Sequence, residues 1–147
     1  MRILHTADWH LGRTLEGRNR LPEQEAFVDE PCEIADDQDV QLILIAGDVF
    51  DTSNPPAAAE ELYYDALARL ADFGRRAVVV IAGNHDSPDR LTAPQPLARR
   101  HGIYLLGLPA QTGMRPLTIA VPGSDEPAII AALPYPSEAR LNEVLTA

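Results

Sequence analysis

Three short apolar runs constrain this chain more than any other feature. Ile3 to Ala7, Leu42 to Ala46 and Ala77 to Ala82 are β-branched or leucine-rich, and each stops at a polar motif. They read as buried parallel strands. Between the first two, Leu21 to Gln38 begins like a helix, with Pro22 suited to a first turn and Glu23 and Glu25 to its positive end. Between the second and third, Pro55 and Pro56 precede Ala57 to Phe73. There Leu62, Ala66, Leu67, Leu70 and Phe73 recur at helical spacing, and Gly74 is a stop. The alternation predicts an α/β domain with parallel strands joined by crossover helices, and sites in such sheets form beyond the carboxyl ends of the strands.

The second half predicts a helix within Pro88 to His101, interrupted by Pro94 and Pro96. Short strands follow near Ile103 to Leu106, Leu117 to Val121 and Ala128 to Leu133. The last two, separated by Pro122 to Pro127, read as a C-terminal hairpin, and Leu141 to Leu145 begins another helix. Pro31 breaks a local rule. Inside the first helix it removes a backbone hydrogen bond at a cost of ~3 kcal/mol, so a kink or an early helix end is expected there, between Phe27 and Ile34 on the face expected to be buried.

A length of 147 residues favours one domain, and no repeat or linker marks a second. No apolar run approaches the ~20 residues of a membrane span. Met1 to His10 carries Arg2 and Asp8 where a signal peptide would be apolar, and Cys32 is the sole cysteine. These features lead to the expectation of a soluble cytoplasmic protein with no membrane association. The net charge is −10, and Leu21 to Ala68 holds thirteen acids and no base. Such a chain is a poor passive binder of nucleic acid, yet it can act on phosphates if metal ions supply positive charge. All twelve basic residues are arginine, which excludes the lysine-bearing phosphate loop of P-loop NTPases. Ser53, Ser87, Ser124 and Ser137 all lie outside any G-x-S-x-G nucleophile motif.

The chemistry sits at the strand ends. Asp8 and His10, two apart on an extended segment, point the same way and can chelate one ion. Gly47-Asp48 offers a tight turn and a carboxylate able to bridge two cations. Gly83-Asn84-His85-Asp86 adds a neutral oxygen ligand at Asn84, an acid or transition-state stabiliser at His85, and at Asp86 a carboxylate to orient a neighbouring imidazole. Each motif alone is also an ordinary turn; three at successive strand ends argue for a metal site. Hard oxygen donors mixed with imidazole suit manganese or magnesium, without choosing among manganese, iron and zinc. His5 reads as a hydrogen-bonded core histidine, Trp9 as packing, Asp51 as a turn cap and His101 as a helix-end surface residue. Arg13, Arg18 and Arg20 are candidate contacts to nucleic-acid phosphates or members of a solvated loop.

In order and spacing, Asp8-x-His10, Gly47-Asp48 and Gly83-Asn84-His85-Asp86 resemble the first three motifs of the calcineurin-like metallophosphoesterases. Ile3 to Gly12 and Ala46 to Thr52, followed by Pro55-Pro56, are similar to the nuclease branch of that family, with similarity running from Met1 to about His101. The resemblance implies the N-terminal part of a metallophosphoesterase sandwich. It implies one metal held by Asp8, His10 and Asp48, a second held by Asp48 and Asn84, and leaving-group assistance from His85. The cofactor it implies is a pair of divalent cations, typically manganese. It further implies a DNA exonuclease and endonuclease subunit acting on double-strand ends or hairpins, a homodimer, and a coiled-coil ATPase partner, with dimer contacts around Leu62 to Phe73 and Leu91 to Arg100. Family members complete the site with three later histidines, two of them in G-H-x-H. After Asp86 this sequence has only His101, so residues 1–147 are expected to be a truncated N-terminal portion, the other explanation being a naturally short, degenerate copy, and to be weakly active or inactive alone. The alternatives are a metallophosphatase for nucleotides or phosphoproteins, and an inactive assembly module.

Overall fold

The computed structural model describes residues 1–109 and 116–146. The chain runs β1 (Ile3–Thr6), a small ribbon of β2 (Thr14–Leu15) and β3 (Arg18–Asn19), α1 (Leu21–Asp37), β4 (Leu42–Ala46), α2 (Ala57–Ala71) and β5 (Ala77–Ile81). It continues through α3 (Pro88–Thr92), α4 (Gln95–Ala98), β6 (Ile103–Leu106), β7 (Leu117–Ile119), β8 (Ala128–Ile130) and α5 (Glu138–Thr146). The expected parallel sheet is present, in the order β1-β4-β5-β6, and β7 and β8 pair antiparallel as the expected hairpin. Register fixes where the motifs emerge. Thr6 pairs with Ile45, and Ala46 with Ile81, so the strands end level and their polar extensions leave from one rim.

Strand periodicity separates two apolar layers. Ile43, Ile45, Val78, Val80, Ile103 and Leu105 face the helices, where Val28, Cys32 and Ala35 of α1 and Tyr63, Ala66 and Leu70 of α2 complete the main core. On the opposite face Leu42, Ala77 and Val79 pack against Ile119, Val121 and Ala128 from the hairpin segment. The proline-interrupted region resolves into α3 and α4, separated at Pro94 as expected.

Pro31 does not end α1, which continues six residues beyond it. The buried stripe is Val28, Pro31, Cys32 and Ala35, while Phe27 and Ile34 are partly exposed, so the register differs from the expected one. The pyrrolidine ring is an apolar filler on the core face, and that burial offsets the lost backbone bond. The end of α2 also differs. Asp72, Phe73 and Gly74 all take left-handed φ (45°, 55° and 85°), which swings Phe73 out of the core to 91% exposure. Arg75 donates to both Asp72 carboxylate oxygens at 2.7 and 2.6 Å and holds that carboxyl below its ordinary range.

Cys32 is buried beneath α2, and burial pushes its thiol pKa up against the opposing pull of Arg69. Native protein is therefore expected to react with a disulfide reagent such as DTNB at least ~100-fold more slowly than urea-unfolded protein, because both thiolate fraction and access are reduced. Similar rates in the two states would contradict this packing.

Candidate metal centre

Beyond the strands proper, the segments after β1 and β4 stay paired. The Asp8 N–H donates to the Gly47 carbonyl (3.0 Å), His10 N–H to the Asp48 carbonyl (3.0 Å) and Leu11 N–H to the Val49 carbonyl (2.9 Å). To keep this ladder while turning outward, Asp8, His10 and Asp48 adopt left-handed φ of 58°, 47° and 51°. For residues bearing a Cβ this costs about 1–2 kcal/mol each, and such strain concentrates at functional sites.

The turns bring the side chains together. Asp8, His10 and Asp48 each present a ligand atom within 4.8 Å of the others, with Asp8 exposed and Asp48 buried. His10 Nε2 lies 3.9 Å from Asp8 Oδ1. A second group, His10, Asp51 and His85, shares the same span. His10 Nδ1 is 3.3 Å from Asp51 Oδ1, in contact but not aligned as a hydrogen bond. The His85 ring packs edge-on to His10 with centroids 5.0 Å apart, and its Nδ1 lies 2.8 Å from the Asp51 carbonyl. A carbonyl only accepts, so His85 Nδ1 carries a proton in this contact and Nε2 is left for chemistry. The His85 backbone N–H donates to Asp48 Oδ1 at 3.0 Å, tying the two motifs together. Asn84 sits exposed between Gly83 and His85 on the same loop.

Asp86 departs from the expectation that it orients an imidazole. Its buried carboxylate accepts from the backbone N–H groups of Gly83 (2.8 Å), Phe50 (2.9 Å) and Val49 (3.3 Å). It fixes the loop to the end of β4. Asp51, read as a turn cap, takes the place beside both imidazoles. Nothing local in the sequence marks it, because its position depends on how two strand ends meet. Gln24 was equally silent; from α1 it accepts the Gly12 N–H and donates to the His10 carbonyl, both at 3.0 Å.

Trp9 is packing, as expected: it is 5% exposed, edge-on to Phe27, with its indole N–H donating to Thr6 Oγ1 at 3.0 Å. His101 is exposed at the end of a short helical turn, also as expected. His5 is not a core residue; β1 is an edge strand and His5 is exposed on its hairpin side. Of the arginines, Arg20 is committed to Glu23 at 2.6 and 2.5 Å, whereas Arg13 and Arg18 are exposed and form no ion pair among the described residues. The ribbon between them turns through Glu16 and Gly17, both at positive φ.

Two carboxylates and an imidazole converging within one ion's reach are a donor set that fits a divalent cation. A parallel α/β sheet with such a rim at its carboxyl ends has the form of a metal-binding α/β domain. The chain belongs to the calcineurin-like phosphoesterase family, whose profile matches residues 1–124. It is 57% identical over 146 residues to the SbcD component of nuclease SbcCD from Bacillus subtilis, covering 99% of this chain and 37% of that relative. The Rhodobacter capsulatus protein of the same name is 46% identical over 108 residues (73% of this chain, 27% of the relative), and that of Escherichia coli K12 is 48% identical over 87 residues (59% and 22%). The chain thus spans little more than a third of the curated relatives it matches, or less.

Proposed function

We propose that this chain carries the N-terminal half-site of a manganese-dependent DNA nuclease that hydrolyses phosphodiesters at double-strand ends or hairpins. The observation that carries the reading is the convergence of Asp8, His10 and Asp48 with His85 alongside. Asp8, His10 and Asp48 would hold one cation, and Asp48 and Asn84 would contribute to a second. Bound in pairs, such cations activate water and neutralise charge at a phosphodiester. Asp51 attracts His10 Nδ1 and so turns Nε2 toward Asp8. His85, anchored through Nδ1, presents Nε2 at the site, and the imidazolium form, protonated at both nitrogens, would give its Nε2 proton to the departing oxygen and be left as the Nδ1–H tautomer. Arg13 and Arg18, on the exposed ribbon next to the site, meet DNA phosphates and partly offset the acidic surface.

The relatives' name denotes a two-component nuclease, which supports an SbcC-type coiled-coil ATPase as partner. The chain works as a cytoplasmic homodimer in this reading. An apolar groove of about 870 Å³, lined by Tyr64, Leu67, Phe73, Leu97 and Ala98, supports a dimer contact along α2 and α4. No helix among the described residues is long and apolar enough to cross a membrane.

A polypeptide carrying these residues, supplied with Mn2+, is expected to shorten linear duplex DNA. Turnover of bis(p-nitrophenyl) phosphate without attack on duplex would overturn the nuclease assignment in favour of a phosphatase. Absence of Mn2+ binding together with stable self-association would instead identify an assembly module. His85→Ala is expected to leave Mn2+ affinity nearly unchanged and to lower turnover by ~10²–10⁴-fold, the usual range for a lost general acid. Calorimetry showing metal loss from that variant would refute its role.

A further inference from the structure

The loop bearing Asn84 and His85 is held from a second side by a residue far along the chain. Arg140, in the first turn of α5, is 9% exposed. Its Nη1 donates to the Gly83 carbonyl at 2.8 Å and to the Tyr135 carbonyl at 3.3 Å, and its Nη2 donates to the Asp86 carbonyl at 2.5 Å. The guanidinium lies 5.6 Å over the Tyr135 ring, and the Tyr135 N–H donates to the Ala82 carbonyl at 2.9 Å. Ser137 sets the start of α5 by accepting the Arg140 N–H at its Oγ (3.3 Å), which fixes where the guanidinium enters.

Arg140 forms no ion pair with a carboxylate among the described residues. Burying a cation against carbonyl oxygens alone is an expensive way to staple a helix, because an apolar side chain would do so without desolvating a charge. A planar fork, however, can reach two carbonyls three residues apart in one rigid arrangement. Gly83 and Asp86 bracket Asn84 and His85. Asp86 ties the same loop to β4 through its carboxylate, and Arg140 ties it through its carbonyls.

The geometry points to Arg140 as a positioning residue of the phosphodiesterase site: it sets the loop so that Asn84 and His85 face Asp48. This rests on the function proposed above, and the experiment separates the two. In the 147-residue chain, amide exchange at Gly83 and His85 is compared for Arg140, Arg140→Lys and Arg140→Met. The Met variant is expected to exchange at least ~10-fold faster at those amides with β4 and β5 unchanged, because local opening is released while the sheet stays closed. Lys keeps the charge but cannot span both carbonyls, so it gives an intermediate rate.

For Mn2+-dependent turnover of bis(p-nitrophenyl) phosphate, kcat of the Met variant is expected to fall ~10–100-fold with KM within about 3-fold, the usual cost of losing a group that orients a metal site, and Lys recovers part of it. Unchanged loop exchange in the Met variant overturns the proposal. So does acceleration throughout β4 and β5 in both variants, which would make Arg140 only a staple of the fold. If the unaltered chain neither binds Mn2+ nor turns over the ester, the phosphodiesterase reading fails and takes the catalytic consequence with it. The exchange comparison then still decides whether Arg140 sets the loop.

Discussion

Replacing Asp48 with alanine is expected to abolish Mn2+ binding at both proposed positions and to lower phosphodiester turnover by more than ~100-fold, since losing even an outer-sphere orienting group costs ~10–100-fold. Three features concentrate the effect on this residue. Its carboxylate belongs to the Asp8–His10–Asp48 group, it is the ligand assigned to both cations, and its Oδ1 accepts the His85 N–H. Removing it therefore deletes charge from the site and also frees the loop that carries Asn84 and His85. Asp48→Asn separates these consequences. The amide oxygen can still accept from His85, so the melting temperature is expected to stay near that of the parent while Mn2+ affinity collapses with the lost charge. Asp8→Ala, which touches only one assigned position, is expected to retain weaker binding. Calorimetric titration with Mn2+ reads all three variants, and a full-affinity site surviving in Asp48→Ala would disprove the bridging role.

The strands and the rim were legible because they rest on local signals. Leu42 to Ala46 begins and ends where its apolar run does, and Asp8, His10 and Asp48 converge because parallel strands in register end level. What escaped depends on contacts between distant segments. Asp51 stands beside two imidazoles only because the extensions of β1 and β4 continue pairing through Leu11. Asp86 looked like a histidine partner from its neighbour in sequence, but its carboxylate turns inward to three amides that only the folded β4 end supplies. Pro31 misled in the other direction: propensity argued for a break, and burial of its ring kept α1 whole. Phe73 fits the helical stripe, yet the two non-glycine residues at left-handed φ ahead of Gly74 turn it into solvent.

Gly83→Ala is expected to be the most damaging conservative change in the chain, destabilising it by about 3 kcal/mol or more and lowering the melting temperature by roughly 10 °C. The cause is space, not conformation. A Cβ on Gly83 would land inside contact distance of Asp48 Oδ1 and the Asp48 backbone nitrogen, and 2.7 Å from Asp48 Cγ. A flexible surface chain could step aside, but the backbone nitrogen cannot, and the carboxylate is held by the His85 N–H. The opposing turn is as tight: a Cβ on Gly47, itself at φ +90°, would meet Gly83 Cα at 2.8 Å. The two strand ends approach this closely because both carry glycine, and that approach is what brings Asp48 within hydrogen-bond reach of the loop. Mn2+ affinity should fall with stability, because the carboxylate must move to admit the methyl group. Gly17→Ala is the control: it has a left-handed φ of +76°, which Gly83 lacks, and open space around it, so only about 1 kcal/mol of backbone strain is expected. A Gly83→Ala protein melting within 2–3 °C of the parent, a shift of about 1 kcal/mol or less, with unaltered Mn2+ titration, would mean that the close approach of β4 and β5 does not govern the site.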